Sequence, residues 1–189
     1  MEMSTLTGGF ADTPREAAVA FRTAMAAMAR PGRIHDIAGA TPPAPLSPAA
    51  GTLLRALADP MTPVHLAGRT DTRAVRDWLT FHTGAPPAAR AEAAFAVGSW
   101  AELLPLDAYR IGVPDYPDRS ATLIVEMEGL ASEGARLTGP GIETEHRLSL
   151  PDIEAFRANR ARFPLGLDFF FTAGTRMAAL PRSTHVEAG

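Results

Sequence analysis

The apolar positions switch between a helical spacing of three or four and short unbroken runs, and each switch marks an element. Thr13-Pro-Arg-Glu16 has the form of a capping box with proline at the first helical position, and Ala18, Phe21, Met25 and Met28 follow at spacings of three, four and three. This predicts an amphipathic helix with those four on its apolar face, stopped at Arg30-Pro31-Gly32 because proline forbids continuation. Residues 33–38 read as a short strand, and Pro42, Pro43, Pro45 and Pro48 as a connector within one domain. Ser47-Pro48 repeats the cap-plus-proline device and opens a helix carrying Leu53, Leu54 and Leu57, which Asp59-Pro60 closes. Residues 63–66 read as a buried strand, and 71–81 as a helix with Val75, Trp78 and Leu79 inward, ending at Thr83-Gly84. Next come a strand over 93–97, a short helix over 99–104, and a loop over 109–120 punctuated by Gly112, Pro114 and Pro117.

The last third differs. A bare apolar strand, residues 121–127, leads through Leu137-Thr-Gly-Pro-Gly-Ile142 and a helix over 152–162 into the run Leu167-Asp-Phe-Phe-Phe171. A hairpin through Ala173-Gly174-Thr175 then delivers Pro181-Arg-Ser-Thr-His-Val186 to the end of the chain. Helices alternating with short strands imply crossovers over a sheet, and the closing hairpin implies antiparallel partners. The expectation is one domain over 1–189, α/β in class, with a mixed sheet in a three-layer arrangement.

Composition narrows the chemistry. The chain has 189 residues, 46% apolar and 21% charged, with a net charge of -3. A pI near 5.9 offers no general field for nucleic acid or an anionic membrane, and no apolar run is long enough to span a bilayer, so a cytoplasmic address is expected. There is no cysteine, which removes thiol nucleophiles, disulfides and cysteine-ligated metal or iron-sulfur centres. There is no lysine either. All 18 basic residues are Arg, so no internal Schiff base forms, and what remains is guanidinium suited to planar contacts with carboxylate or phosphate. No cofactor or metal is expected.

Several constellations invite a chemical reading. Gly139-Pro-Gly141 lacks the third glycine and the lysine of a phosphate loop, and proline removes an amide, so it reads as a sharp turn. Glu143-x-x-His146 has the spacing of a di-iron pair without the second pair, and reads as an exposed polar edge. No Gly-x-Ser-x-Gly elbow is present. His65 reads as a hydrogen-bonded core residue and His82 as a helix end, where a cation is favoured. His185 beside Arg182 is the pair least easily assigned to structure. On the 152–162 helix, Ile153 and Phe156 face inward, while Arg157 and Arg160 share a face suited to a solvated helix end or a salt-bridged subunit contact.

Taken in order, Phe21-Arg22, Met28-Ala-Arg-Pro-Gly32, Leu57-Ala-Asp59, Thr62-Pro-Val64, Phe81-His-Thr83, Ala94-Phe-Ala-Val97, Ser120-Ala-Thr-Leu-Ile124, the 137–142 turn, Phe163-Pro-Leu-Gly166 with Asp168, and the 181–186 ending resemble the PhnH family. That family is the H subunit of the bacterial carbon-phosphorus lyase core complex, and the resemblance covers essentially the whole chain. Its last motif usually reads Thr-Thr where this chain has Ser183-Thr184. The resemblance implies a three-layer α/β/α sandwich similar to pyridoxal-phosphate-dependent transferases but without the cofactor. It implies action with the G, I and L subunits in forming α-D-ribose 1-methylphosphonate 5-triphosphate from ATP and methylphosphonate. The implied partners are the G, I and J subunits, with G in direct contact, and a homodimer when isolated.

The expected role is structural or assembly, a non-catalytic or accessory subunit without a complete active site. The alternative is a catalytic or anion-binding contribution through Arg182 and His185. Asp59, His82, Arg119 and Ser120 stand beside Arg160, Arg182, Thr184 and His185 as ligand or interface candidates.

Overall fold

The computed structural model describes residues 7–189. Four parallel strands form its spine, β2 (Val64–Leu66), β3 (Phe95–Ser99), β6 (Thr122–Glu126) and β9 (Asp168–Ala173), side by side in that order. β9 turns back through Gly174 and Thr175 into β10 (Arg176–Leu180), which pairs antiparallel with it and with the short β1 (His35–Asp36). The sheet is therefore mixed, six-stranded and α/β in class, as the alternation and the closing hairpin implied.

The apolar runs are unbroken because both faces of the sheet are buried. Ile124, Phe170, Met177 and Ala179 join one core, under α1 (Thr13–Ala29), α2 (Pro48–Leu57) and α3 (Arg73–Thr83). Leu123, Val125, Phe169, Phe171, Ala178 and Leu180 join the other, under α4 (Trp100–Leu103), α5 (Ile153–Arg160) and a small antiparallel sheet. That small sheet has β7 (Ala135–Thr138) between β8 (His146–Leu148) and β11 (His185–Glu187). The second covering layer is thus partly β. α3 covers one face and α4 the other, and between α3 and β3 the chain makes a parallel bridge, Pro87 to Val64, on the side of β2 away from β3.

Two expectations are corrected. In α1 the stripe Ala18, Phe21 and Met25 faces solvent, with Phe21 48% and Met25 54% exposed. The helix meets α2 and β10 through Ala20, Ala24 and Ala27, with Met28 half-buried, because small side chains let it approach closely. Its capping box also lies one residue earlier, on Asp12: the Asp12 side chain accepts from the Arg15 amide and Glu16 accepts from the Asp12 amide. The second correction concerns residues 109–120, which are not a loop throughout. β4 (Ile111–Val113) and β5 (Tyr116–Ser120) form a hairpin. Gly112 adopts φ +82°, and a Cβ there would fall 2.6 Å from the Pro117 carbonyl oxygen, so glycine is what lets the strands close.

Phe156 packs with ring centroids 5.0 Å from Trp100, 5.0 Å from Phe169 and 5.6 Å from Phe171. Phe156→Ala is expected to cost about 3–5 kcal/mol in urea denaturation, and Phe21→Ala no more than about 0.5 kcal/mol. The opposite ranking would put the α1 stripe in the core.

Candidate functional site

Arg182 lies just beyond β10, where that strand meets the start of β9. Its side chain is 11% exposed and each of its three nitrogens is engaged. Nε donates to Asp168 Oδ1 at 3.1 Å, Nη1 to the Pro117 carbonyl at 2.7 Å, and Nη2 to Asp168 Oδ2 and to Ser120 Oγ. The Arg182 amide also donates to Asp168 Oδ1, at 2.8 Å. This is a clamp. A planar guanidinium joins β9, the C-terminal segment and the base of the β4–β5 hairpin, with Arg182 and Ser120 hydrogen-bonded to each other.

His185 faces a different neighbour. Arg160, in the last turn of α5, donates from Nε to the Ser183 carbonyl at 3.1 Å and brings Nη2 to 3.3 Å from His185 Nε2. Its guanidinium also lies 4.8 Å from the Phe163 ring centroid. Arg157, Arg160, His185 and Glu187 line an open cleft of about 330 Å³ between α5 and β11. The expected pairing of Arg182 with His185 is therefore replaced by Arg160 with His185. Glu187 is engaged by Arg136, and Arg157 by Glu154. Thr184 is buried and its amide closes a turn on the Pro181 carbonyl, while its hydroxyl has no hydrogen-bond partner among the described residues.

The remaining candidates lie apart from both groups. Asp59 makes a tight turn, its carboxylate accepting from the Met61 amide and the Thr62 hydroxyl. His82 packs 5.0 Å from both Trp78 and Phe81, and burial, then the charge of Arg55, lowers its pKa against a backbone bond involving Thr7. Arg119 lies on the hairpin, 3.9 Å above the Tyr116 ring. His65 is a hydrogen-bonded partly buried residue, Nδ1 lying 3.0 Å from the Ala88 carbonyl. His146 Nδ1 is 2.6 Å from the Pro31 carbonyl. Gly141 holds its turn against the end of α1, where a Cβ would fall 2.0 Å from the Ala29 carbonyl. Among the described residues there is no cluster of three metal-ligating side chains, and no helix is long and apolar enough to cross a membrane.

A larger cleft, about 390 Å³, opens at the carboxyl ends of the parallel strands. Ser99, Glu102, Glu126, Glu128, Arg69 and Ser47 line it. Glu102 completes a capping box with Ser99, accepting its amide at 3.1 Å and its hydroxyl at 2.7 Å. The Arg69 amide first, then the Ser99 hydroxyl and amide and the Arg69 side chain, hold the Glu102 pKa down to about 2. Glu126 moves the other way, because burial raises its pKa against the bonds from Ser47 and Thr172. It accepts from the Ser47 amide at 2.7 Å and the Thr172 hydroxyl at 2.9 Å. Neither carboxylate was singled out from the sequence. The Ser-x-x-Glu spacing at Ser99 was a legible signal, but nothing local set Glu126 apart.

Arg182→Ala is expected to cost about 3–5 kcal/mol by removing one side of a mostly buried pair. Arg182→Lys should recover little of it in denaturant titrations, since an ammonium cannot span the fork; full recovery would reduce the clamp to simple charge. The two glutamates act on stability with opposite signs. Glu102 contributes fully above an unfolded value near 4.5, and its share is lost as pH falls toward about 2. Glu126 keeps its proton in the fold when the unfolded chain has released it, so its share falls as pH rises from near 4.5 through the raised value. Glu102→Gln should flatten the acid limb of the urea midpoint profile and Glu126→Gln the opposing slope, whereas unchanged limbs would contradict these environments.

The profile of the bacterial phosphonate metabolism protein (PhnH) family matches residues 8–187. The chain is 39% identical over 191 residues, 95% of its length and 94% of the relative's, to the α-D-ribose 1-methylphosphonate 5-triphosphate synthase subunit PhnH of Rhizobium meliloti (strain 1021). It is 31% identical over 195 residues, 94% of each chain, to the putative C-P lyase subunit protein HtxG of Stutzerimonas stutzeri. With the family profile and a relative at this identity both spanning nearly the whole fold, the chain belongs to the PhnH family of bacterial phosphonate metabolism proteins.

Proposed function

We propose that the chain is an accessory subunit of the carbon-phosphorus lyase system. In this reading it works beside the G, I and L subunits in forming α-D-ribose 1-methylphosphonate 5-triphosphate from ATP and methylphosphonate, and is held in a complex with G, I and J. The observation that carries it is the 39% identity, over 95% of the chain, to a relative named as a subunit of that synthase. The clamp supports the accessory role, because Arg182 spends its hydrogen bonds on Asp168, Pro117 and Ser120. Direct contact with the G subunit, a homodimer in isolation and a cytoplasmic location belong to the same proposal. So does a three-layer likeness to pyridoxal-phosphate-dependent transferases, which the burial of both sheet faces supports.

The second reading, a contribution to anion binding, is favoured by the cleft holding Arg157, Arg160 and His185. It moves from Arg182 to Arg160, whose guanidinium lines an open cleft. Tagged chain co-expressed with G, I and J, followed by native mass spectrometry, is expected to yield a particle containing all four. Recovery of the tagged chain alone would contradict the proposal. In the assembled particle, Arg160→Ala should leave turnover within about twofold for an accessory surface; a loss of about a hundredfold with composition intact would make the second reading the correct one.

A further inference from the structure

All four parallel strands point their carboxyl ends at the cleft of about 390 Å³, and the subunit reading makes no use of it. Arg69 and Thr70 follow β2, Ser99 ends β3, Glu126 ends β6 and runs on to Glu128, and Gly174 follows β9. In open α/β sheets this is the end where a crevice forms between the strand tips and the loops that leave them, and ligands bind there. The volume suits one sugar-sized ring.

The hydrogen-bonding capacity left over in the cleft decides what fits. Glu102 is spent on Arg69 and Ser99, and the Thr70 hydroxyl on the Ala67 and Val97 carbonyls. Glu126 accepts from the Ser47 amide on one oxygen and the Thr172 hydroxyl on the other, with the Ser47 hydroxyl also bonded to it, and two carboxyl oxygens can take about four bonds in all. Glu128 is exposed and adds another acceptor beside it. The donor left over is the Arg69 fork: Nε faces Glu102, while the side chain is 82% exposed. The cleft thus pairs free acceptors on β6 with a guanidinium after β2. A polyphosphate would meet the carboxylates, and a bare cation would meet the arginine. A hydroxylated ring with one anionic ester satisfies both, its hydroxyls donating to the carboxylates and its ester oxygens accepting from the guanidinium. Carboxylates reading ribose hydroxyls at this end of a sheet is the same chemistry found in dinucleotide sites.

We propose that the cleft binds the pentose of a ribosyl phosphate or phosphonate ester, with vicinal hydroxyls on Glu126 and Glu128 and the ester toward Arg69. The choice of pentose rests on the subunit reading, since the Rhizobium relative is named for a ribosyl product; the residues rest on the cleft alone. The binding is to the cyclic sugar ester as such, with no bond made or broken.

The test is a titration of the full chain, followed by amide chemical shifts of Ser99, Met127 and Gly174. The probes are D-ribose 5-phosphate, 2-deoxy-D-ribose 5-phosphate and inorganic phosphate. Ribose 5-phosphate is expected to give saturable shifts, the deoxy sugar to bind about tenfold more weakly, and inorganic phosphate to leave these amides unmoved. Glu126→Gln should remove most of the binding. In case that variant unfolds, Arg69→Ala and Glu128→Gln, both at exposed side chains, should each weaken it about tenfold with the melting midpoint unchanged. No saturable shift with ribose 5-phosphate, or an equal response to phosphate or the deoxy sugar, overturns the proposal, as does binding indifferent to Arg69→Ala and Glu128→Gln. Wild-type chain that enters the complex yet fails to bind the sugar ester sinks this inference and leaves the subunit reading standing; chain that binds it yet never enters the complex does the reverse.

Discussion

The Arg182–Asp168 pair is the contact on which the C-terminal half depends. Desolvating two charges is costly, and the pair is tolerable because the guanidinium also satisfies Pro117 and Ser120 while the carboxylate also takes the Arg182 amide. Three segments distant in sequence meet at one planar group: the start of β9, the base of the β4–β5 hairpin and the turn leading to β11. β11 in turn edges the small sheet that closes the second core. In a chain without lysine, arginine is the side chain that is always cationic, and its fork is what lets one group fix three directions.

The clamp also separates the two ends of the parallel strands. Asp168 begins β9, so the clamp binds the amino ends, where the fold is fastened. The carboxyl ends are left open around Glu126, Glu128 and Arg69, with Glu102 locked by its own cap. Burial pushes one glutamate up and hydrogen bonding holds the other down, although both line one cleft. The anionic end of one sugar-like ligand and the hydroxyls of its ring would find separate partners there. The arginine cleft by His185 lies between α5 and β11, a separate surface with its own neighbours.

Much of this was legible in the sequence, where local chemistry decides. Proline and glycine stops, the Ser47 cap, the Gly84 left-handed cap and the hairpin at Gly174 all lie where the pattern put them. The inner face of α1 was not legible, because Ala20, Ala24 and Ala27 carry the same periodicity as Ala18, Phe21 and Met25. Size favoured the wrong stripe, whereas close helix approach selected the small one. Prolines hid the β4–β5 hairpin, since a two-stranded ribbon tolerates Pro117 where a central strand would not. The partnerships of the candidate residues join distant segments: Arg182 to Asp168, Arg160 to His185. No spacing rule reports such pairings, and Glu126 was hidden as the last residue of an apolar run.

The ending Pro181-Arg-Ser-Thr-His-Val186 supplies the clamp and one strand of the small sheet. The most direct measurement is native-state hydrogen exchange on Arg182→Met, following the amides of Ala121, Gly166 and Thr184. These bond to Arg110, Ile111 and Pro181 at the hairpin base, the strand entry and the terminal turn. A joint loss of protection at all three, with the amides of α2 unchanged, is the predicted result. Protection retained at all three would contradict the claim that this one arginine holds the unit together.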